Sequence, residues 1–288
     1  MRGGTVRAAG TVILVLAALL GSAYGLGRSL VPDPPSERTG VPASVTRPDY
    51  ADQPPTVTES PAAPTASPEA STSGPTPAGG RRTYADAAGP FGTQVSTGSP
   101  RVALTFDDGP DPQYTPEVLA LLREHGVKAT FCVVGENVQS HPDLIQAIVA
   151  DGHTLCNHSW HHDVTLGSRP PDAIRDDLLR TNAAIRAAVP NAAIAYFRQP
   201  GGAWTDPVVS VSEELGMTPL HWAVDPSDWK SPGAAMITAA VLGGIAPGSI
   251  VLMHDAGGDR QGTVEALQSL LPALLARFQL EALPSGTT

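Results

Sequence analysis

Short apolar runs alternate with longer amphipathic segments over the last two thirds of the chain. Runs of this length are typical of buried strands, and their alternation with helices predicts a parallel sheet. The predicted strands are residues 102–106, 129–134, 154–157, 194–198, 218–224 and 250–254, with 278–283 as a seventh. The predicted helices are residues 116–125, 142–150, 171–188, 206–215, 234–243 and 262–277. Pro116 and Pro142 suit the first turns of helices, and Gly126, Gly152 and Gly216 suit the residues that follow last turns.

About seven parallel strands with intervening helices favour a distorted or incomplete (β/α) barrel, an α/β fold, over an open sheet. In such barrels the functional side chains lie at the carboxyl ends of the strands. Five predicted strands are followed by polar clusters, which a purely structural interpretation does not explain. These clusters are Asp107 with Asp108, His158 with His162, Arg198 with Pro200 and Gly202, Asp225 with Asp228 and Trp229, and His254 with Asp255.

The chain is predicted to have three parts, of which the first, residues 1–27, is a signal peptide or an N-terminal membrane anchor. Arg2 and Arg7 precede the apolar residues 11–20, and small residues then offer a cleavage site after Ala23. A charged start followed by such an apolar run is typical of an export signal. Either form, cleaved or uncleaved, places the rest of the chain outside the plasma membrane, in the extracellular space or the cell wall. This segment is the only predicted membrane contact.

Residues 28–98 are predicted to be a disordered linker, and residues 99–288 one α/β domain. Between residues 31 and 90 the chain has no Leu, Ile, Met or Trp, and Pro, Ser, Thr and Ala dominate. Such a composition cannot bury enough apolar surface to offset the entropy of ordering. A Pro-rich chain extends by roughly 3 Å per residue, so the segment is long enough to hold a domain away from a membrane.

Composition narrows the class of partner. The net charge is −10, which argues against nucleic acid, because phosphate binding needs a basic face. Two cysteines, Cys132 and Cys156, are too few for a disulfide scaffold, but they lie in the second and third predicted strands. In an exported domain a disulfide between them is expected, with two buried thiols as the alternative. The domain is expected to be a monomer.

Two neighbouring carboxylates and a histidine cluster carry the candidate chemistry. Asp107 and Asp108 follow an apolar strand, where the break in the pleat lets both reach one site in different roles. In the stretch 158–162, His158 and His162 are four residues apart and share a face in a helical turn; His158 with His161 is a competing pair. A carboxylate beside two imidazoles, with open positions for water, is typical of catalytic zinc.

Five motifs taken together resemble the family 4 carbohydrate esterases, the polysaccharide deacetylases with a NodB-homology domain. They are TFDDGP (105–110), HSWHH (158–162), RQPGG (198–202), DPSDW (225–229) and IVLMH (250–254), in family order across the last 190 residues or so. The resemblance does not cover residues 1–98. It implies a divalent metal, most simply Zn²⁺ with Co²⁺, Ni²⁺ or Mn²⁺ as alternatives, and an acetylated polysaccharide or oligosaccharide as substrate.

The resemblance also implies roles by position. Asp107 corresponds to the catalytic base and Arg198 to the residue that orients it. The metal ligands correspond to Asp108, His158 and His162. His254 corresponds to the general acid and Asp228 to the carboxylate that tunes it. The acetyl pocket corresponds to Trp229 and Leu252, and the oxyanion donor to the backbone N–H near Gly201.

One position departs from the family pattern, which commonly has Tyr where this chain has Gly201. The backbone N–H remains, but the side wall that an aromatic ring would form is lost.

The expected function is N-deacetylation of a cell-surface glycan, with peptidoglycan indicated by the export signal and the linker. The alternatives are an O-acetyl esterase on xylan or another polymer, a chitooligosaccharide deacetylase, and an inactive carbohydrate-binding module.

Overall fold

The computed structural model describes residues 88–285, and within them six parallel strands form one sheet in the order β5-β4-β3-β2-β1-β6. The strands are β1 Ala103–Asp107, β2 Thr130–Val133, β3 Thr154–Asn157, β4 Ile194–Phe197, β5 Thr218–Pro219 and β6 Ile250–His254. The helices are α1 Tyr114–Glu124, α2 Gly135–Ser140, α3 Pro142–Ala150, α4 Pro171–Ala188, α5 Asp206–Glu214, α6 Ala234–Gly244 and α7 Gln261–Leu275. Single 3-10 turns cover Pro90–Gly92, Leu166–Ser168, Pro200–Gly202 and Asp228–Lys230.

The alternation of side chains along β1 separates packing from chemistry. Leu104 and Phe106 point outward into the main core, which the helices cover. Ala103 belongs to a second apolar cluster on the inner face of the sheet. Thr105 and Asp107 share that inner face, because side chains two residues apart in a strand lie on the same side. The strand therefore buries its outer face for stability and carries its polar groups inward.

The sheet curls into a half-barrel, which confirms the predicted distorted (β/α) barrel with six strands in place of about seven. Its edge strands β5 and β6 meet through the segment that follows β5. The Ala223 N–H donates to the Ile250 carbonyl at 2.9 Å, and the Leu252 N–H donates to the Val224 carbonyl at 2.9 Å. The predicted strand 218–224 is thus divided, pairing with β4 at its start and with β6 at its end.

Residues 278–283, expected as a seventh strand, form a single parallel bridge between Leu280 and Val102. The next residues turn beneath the barrel, and Leu283 enters the inner apolar cluster with 1% of its surface exposed. The Thr154 hydroxyl donates to the Leu283 carbonyl at 2.6 Å, and the Leu283 N–H donates to the Thr130 hydroxyl at 3.1 Å. The segment closes the base of the barrel, so it does not continue along the sheet edge.

The folded unit begins before residue 99, inside the range assigned to the linker. The Gln94 N–H donates to the Pro219 carbonyl at 2.8 Å and the His221 N–H donates to the Gln94 carbonyl at 2.8 Å. The Thr97 N–H donates to the Gly248 carbonyl at 3.0 Å. The predictions for residues 1–27 and for 28–87 lie outside the described residues. Among residues 88–285, no helix combines the length and apolar character needed to cross a bilayer.

A disulfide joins Cys132 and Cys156 at directly paired positions of β2 and β3. Both residues are fully buried in the inner apolar cluster. Cys132 is also the register partner of Asp107 in the neighbouring strand. The bridge therefore ties two strands together on the face of the sheet that carries the polar groups.

We expect the double variant Cys132→Ala/Cys156→Ala to unfold at lower urea than the wild type. The bridge closes a loop with a sequence separation of 24, and the chain-entropy model assigns such a loop about 3 kcal/mol of stabilisation. Equilibrium urea unfolding measures this difference. Wild-type protein reduced with dithiothreitol is the control and should match the variant. Equal stability of oxidised and reduced wild type would contradict the prediction.

Candidate active site

Asp107, at the carboxyl end of β1, is held by a fully buried arginine. The Arg198 Nη1 donates to Asp107 Oδ1 at 2.6 Å and to the Thr105 hydroxyl at 2.8 Å. Two backbone carbonyls, of Leu220 and His221, accept the remaining guanidinium contacts at 3.2 and 3.1 Å. These bonds fix Oδ1 and leave Asp107 Oδ2 facing the site, 3.6 Å from the Nε2 of His158.

Asp108, His158 and His162 converge so that one ligand atom from each lies within 4.8 Å of the others. Asp108 Oδ1 is 3.4 Å from His158 Nε2 and 3.3 Å from His162 Nε2. Three residues reach this point because β1 and β3 end at the same edge of the sheet. The backbones of Asp108 and His162 have positive φ values, 76° and 54°, which turn both side chains out of the regular strand direction.

The protonation pattern of this cluster suits a cation. The His158 Nδ1 lies 2.8 Å from the Arg198 carbonyl, and a carbonyl only accepts, so Nδ1 carries the proton in the neutral ring. His158 Nε2 then presents a lone pair to the cluster. Asp108 Oδ1 is buried and has no hydrogen-bond partner among the described residues. Several lone pairs pointing at one place repel each other unless a metal ion accepts them, so these residues fit the metal that the family resemblance implies.

The charge states agree with this arrangement. Burial alone would raise the pKa of Asp108, but the neighbouring imidazoles of His158, His254 and His162 lower that pKa to about 2. Burial, with the neighbouring His158, lowers the pKa of His162 below its ordinary value. At neutral pH the carboxylate is therefore ionised and the His162 ring is unprotonated, which are the forms that bind metals.

His254, at the end of β6, faces the same space and is bound to Asp228. The His254 Nδ1 is 2.7 Å from Asp228 Oδ1, and the His254 backbone N–H donates to Asp228 Oδ2 at 2.8 Å. The Thr263 hydroxyl donates to the same Oδ2 at 2.8 Å. Burial would lower the pKa of His254, but the hydrogen bond to Asp228 and the charge of that carboxylate raise it above its ordinary value.

A cavity of about 410 Å³ connects these groups. Every predicted metal, acid and base residue except Arg198 and Asp228 lines it, and those two lie behind Asp107 and His254. The predicted pocket residues Gly201, Trp229 and Leu252 also line it. Trp229 is half exposed at the rim and Leu252 is buried, which places an apolar surface beside the polar groups.

His161, the competing partner for His158, points away from the cluster. Its Nδ1 lies 2.7 Å from Glu136 Oε2, and both side chains are largely exposed. Asp255, predicted within the last polar cluster, does not line the cavity. Burial raises the pKa of Asp255 to about 7, although its Oδ2 accepts a bond from the Thr115 hydroxyl at 2.5 Å. This carboxyl packs behind Gly109 and supports the loop that carries Asp108.

Residues 94–220 match the family model described as polysaccharide deacetylase. A chitooligosaccharide deacetylase of Sinorhizobium fredii is 45% identical over 201 residues, which are 66% of this chain and 93% of that protein. The chain belongs to the polysaccharide deacetylase family. A peptidoglycan-N-acetylglucosamine deacetylase of Bacillus cereus is 38% identical over 175 residues, 60% of this chain and 81% of that protein.

A solved member of the polysaccharide deacetylase family has a similar structure. It is the peptidoglycan N-acetylglucosamine deacetylase Bc1960 in complex with 4-naphthalen-1-yl-N-oxidanyl-benzamide. The two chains superpose with a TM-score of 0.63 and 34% sequence identity, over 67% of this chain and 90% of that one. The likeness therefore covers about two thirds of this chain and nearly all of the solved one.

Residues to which the family resemblance assigns no role complete the cavity of this protein. Gln199, Trp222, Gly257 and Arg260 line it, together with Asp225. The Trp222 ring lies over the glycine turn 200–202, where a side chain on Gly202 would collide with it. A tryptophan two residues before the end of an apolar segment gives no periodic signal that separates a core position from a cavity wall.

The position where the family commonly has Tyr is open on one side. Gly201 has φ +62° and lines the cavity, and its nearest side chain is Val164, whose Cγ1 is 3.3 Å from a Cβ built on the glycine. Among the described residues no acceptor takes a hydrogen bond from the Gly201 N–H. The donor expected at this position is thus free to face a ligand, and Val164 and Trp222 flank the turn where the family commonly has a Tyr side chain.

Proposed function

We propose that this chain is a metal-dependent hydrolase that removes N-acetyl groups from a cell-surface glycan, with peptidoglycan as the first candidate. One observation carries the proposal: three kinds of group face the same cavity. They are Asp107 Oδ2, the His254 ring, and the ligand cluster, which consists of Asp108, His158 and His162. Amide hydrolysis needs a base for water, stabilisation of the oxyanion and an acid for the departing amine, and each has a candidate here.

The residues of this chain divide the reaction between them. A divalent cation bound by the ligand cluster would polarise the acetyl carbonyl and make water more acidic. Asp107 Oδ2 accepts the proton of the attacking water, while Arg198 keeps Oδ1 in place. The Gly201 N–H donates to the carbonyl oxygen as negative charge develops there. His254 then donates its proton to the sugar nitrogen as the C–N bond breaks, giving acetate and a free amine.

Zn²⁺ is the metal we propose. Two imidazoles and one carboxylate, with room in the cavity for water and substrate, form the ligand set of catalytic zinc sites. Co²⁺, Ni²⁺ and Mn²⁺ accept the same donors with different geometries. Elemental analysis of the purified protein, followed by chelation and reloading with each ion, identifies the metal that restores most activity.

The location we propose is outside the plasma membrane. The basic start and apolar run of residues 1–27 support export, and the Pro-rich residues 28–87 support a tether between membrane and cell wall. A disulfide in the folded domain is consistent with an oxidising compartment. Fractionation of expressing cells, with detection of the intact and the processed chain, tests both the location and the cleavage after Ala23.

The substrate is tested by measuring acetate release from peptidoglycan, chitooligosaccharides and acetylated xylan by the same protein preparation. We expect release from the two N-acetylated substrates, with peptidoglycan preferred. A preference for chitooligosaccharides would mean that this chain has the activity for which the Sinorhizobium relative is named. Release from xylan alone would make the chain an O-acetyl esterase. Metal binding with no release from any substrate would favour a carbohydrate-binding module.

The acid pair, His254 with Asp228, predicts that a change at Asp228 alters the pH dependence of activity. His254 must be protonated to donate, so activity is lost as the pH rises through its pKa, which Asp228 raises. Asp228→Asn removes that charge, and the alkaline limb of the kcat/KM profile should move to lower pH. The profiles of wild type and variant, each measured with saturating metal, test this. Thr263→Val, which keeps the Asp228 carboxylate, is the matched control and should shift the limb less. An unchanged limb in Asp228→Asn would contradict the assignment of the acid.

A further inference from the structure

Arg260, the residue immediately before α7, is a buried cation in the wall of the cavity with 3% of its surface exposed. Its guanidinium donates to four backbone carbonyls: Nε to Ala256 at 2.7 Å, Nη2 to Gly257 at 2.8 Å, and Nη1 to Asp228 and Asp259, both at 3.1 Å. Four of the five guanidinium N–H groups therefore donate to carbonyls of the protein's own backbone. The main role of Arg260 is thus to hold the backbone in place.

The positive charge of Arg260 is not neutralised by an ion pair with any carboxylate in residues 88–285. The buried Arg198, in contrast, is paired with Asp107 at 2.6 Å. A buried charge is costly, and a packing role alone is better served by an apolar side chain. A guanidinium that donates to four carbonyls fixes the positions of those carbonyls relative to one another.

One of these carbonyls belongs to the wall behind a metal ligand. Gly257 has φ +75°, and a side chain there would collide with Asp108 Oδ2. The backbone of Gly257 therefore lies directly against the carboxylate whose other oxygen faces His158 and His162. A shift of the Gly257 peptide would let the Asp108 carboxylate rotate away from the ligand cluster.

A second carbonyl belongs to the turn that carries the carboxylate of the acid pair. Arg260 holds the Asp228 carbonyl, and Thr263 in the first turn of α7 holds Asp228 Oδ2 at 2.8 Å. The start of α7 thus fixes Asp228 at its backbone and at its side chain. Arg260 hydrogen-bonds both to this turn and to the peptide behind Asp108.

We propose that Arg260 is a positioning residue that couples the metal-ligand carboxylate Asp108 to the acid pair Asp228–His254. The proposal deepens the proposed function and rests on it for the effect on turnover, but its effect on metal binding stands independently. Its action is mechanical: one guanidinium fixes two peptides, so both halves of the site keep their spacing while substrate enters and leaves.

We expect Arg260→Ala to bind Zn²⁺ roughly 10-fold to 100-fold more weakly than wild type in chelator competition, since loss of a group that supports a metal ligand has effects of this size. On the substrate that the wild type prefers, kcat should fall by a similar factor while KM stays nearly constant. Arg260→Lys, which keeps the charge but not the fork of donors, should recover little. Guanidinium ion at low millimolar concentration should restore part of the metal affinity of Arg260→Ala, and potassium ion should not.

The matched control is Arg277→Ala, because Arg277 is exposed and lies two residues beyond the end of the same helix. Circular dichroism and thermal unfolding report whether each variant folds. A folded Arg260→Ala or Arg260→Lys with wild-type zinc affinity would overturn the proposal, as would loss of the fold in both, which would make the role purely structural. If the wild type binds zinc but releases no acetate, the proposed function fails, and the zinc affinities of the variants still decide the role of Arg260.

Discussion

Asp107→Asn should lower kcat by about 1,000-fold, in the range observed when a general base is removed. The amide cannot accept a proton from water, but its oxygen can still accept the bond from Arg198 Nη1, so the site keeps its shape. KM and bound metal should therefore change little. Initial rates of acetate release, with metal content measured on the same samples, test the prediction.

The same change also leaves Arg198 without its carboxylate. A fully buried guanidinium that loses its counter-ion destabilises a protein by roughly 3–5 kcal/mol, so the variant should unfold at a lower temperature. Assays well below that temperature separate lost catalysis from lost fold. Activity within 10-fold of the wild type in a folded, metal-loaded variant would remove Asp107 from the role of base.

His158→Gln should bind Zn²⁺ at least about 100-fold more weakly and lose activity at metal concentrations that saturate the wild type. His158 offers its Nε2 to the cluster while its Nδ1 is fixed by the Arg198 carbonyl at 2.8 Å, and glutamine cannot do both. Chelator competition gives the affinity, and addition of excess metal shows how much activity returns.

His161→Gln is the matched control, three residues away in the same histidine-rich segment. Its side chain is exposed and paired with Glu136 at 2.7 Å, away from the ligand atoms. We expect wild-type metal affinity and activity from it. A loss equal to that of His158→Gln would mean that His161 takes part in binding the metal, which was the alternative that spacing alone left open.

The residues at strand ends could be predicted because parallel strands bring them to one edge. Asp107, His158 and His254 are far apart in sequence, yet each follows an apolar run, and the barrel rule places such positions together. The alternation along β1 and β6 then turns Asp107, Leu252 and His254 to the inner face, where the cavity lies. Hydrophobic pattern and motif order were enough for this part of the site.

The residues of the site that the sequence could not predict depend on contacts with the backbone. Arg260 follows a glycine-rich loop and bonds only to carbonyls, and any residue type supplies a carbonyl. Gly257 acts through the absence of a side chain beside Asp108. Trp222 reaches the cavity because the segment after β5 leaves one sheet edge for the other. None of these produces a residue pattern that composition or periodicity can detect.

The limits of the folded unit were misjudged for a similar reason. Residues 94–97 are polar except for Val95 and lie next to a Pro-rich stretch, but their backbone pairs with Pro219, His221 and Gly248. Residues 278–283 have the composition of a strand, yet Leu283 is needed to fill the base of the barrel. In both segments the partner that decides the structure is more than 100 residues away.

The most direct test of the account is to measure acetate and free amine in the same reaction, with an N-acetylated glycan and metal-loaded protein. The account predicts one new amine for each acetate, formation of both abolished by chelation, and recovery on return of the metal. Acetate without amine would mean that an ester is cleaved, and an equal rate after complete removal of metal would contradict the site described here.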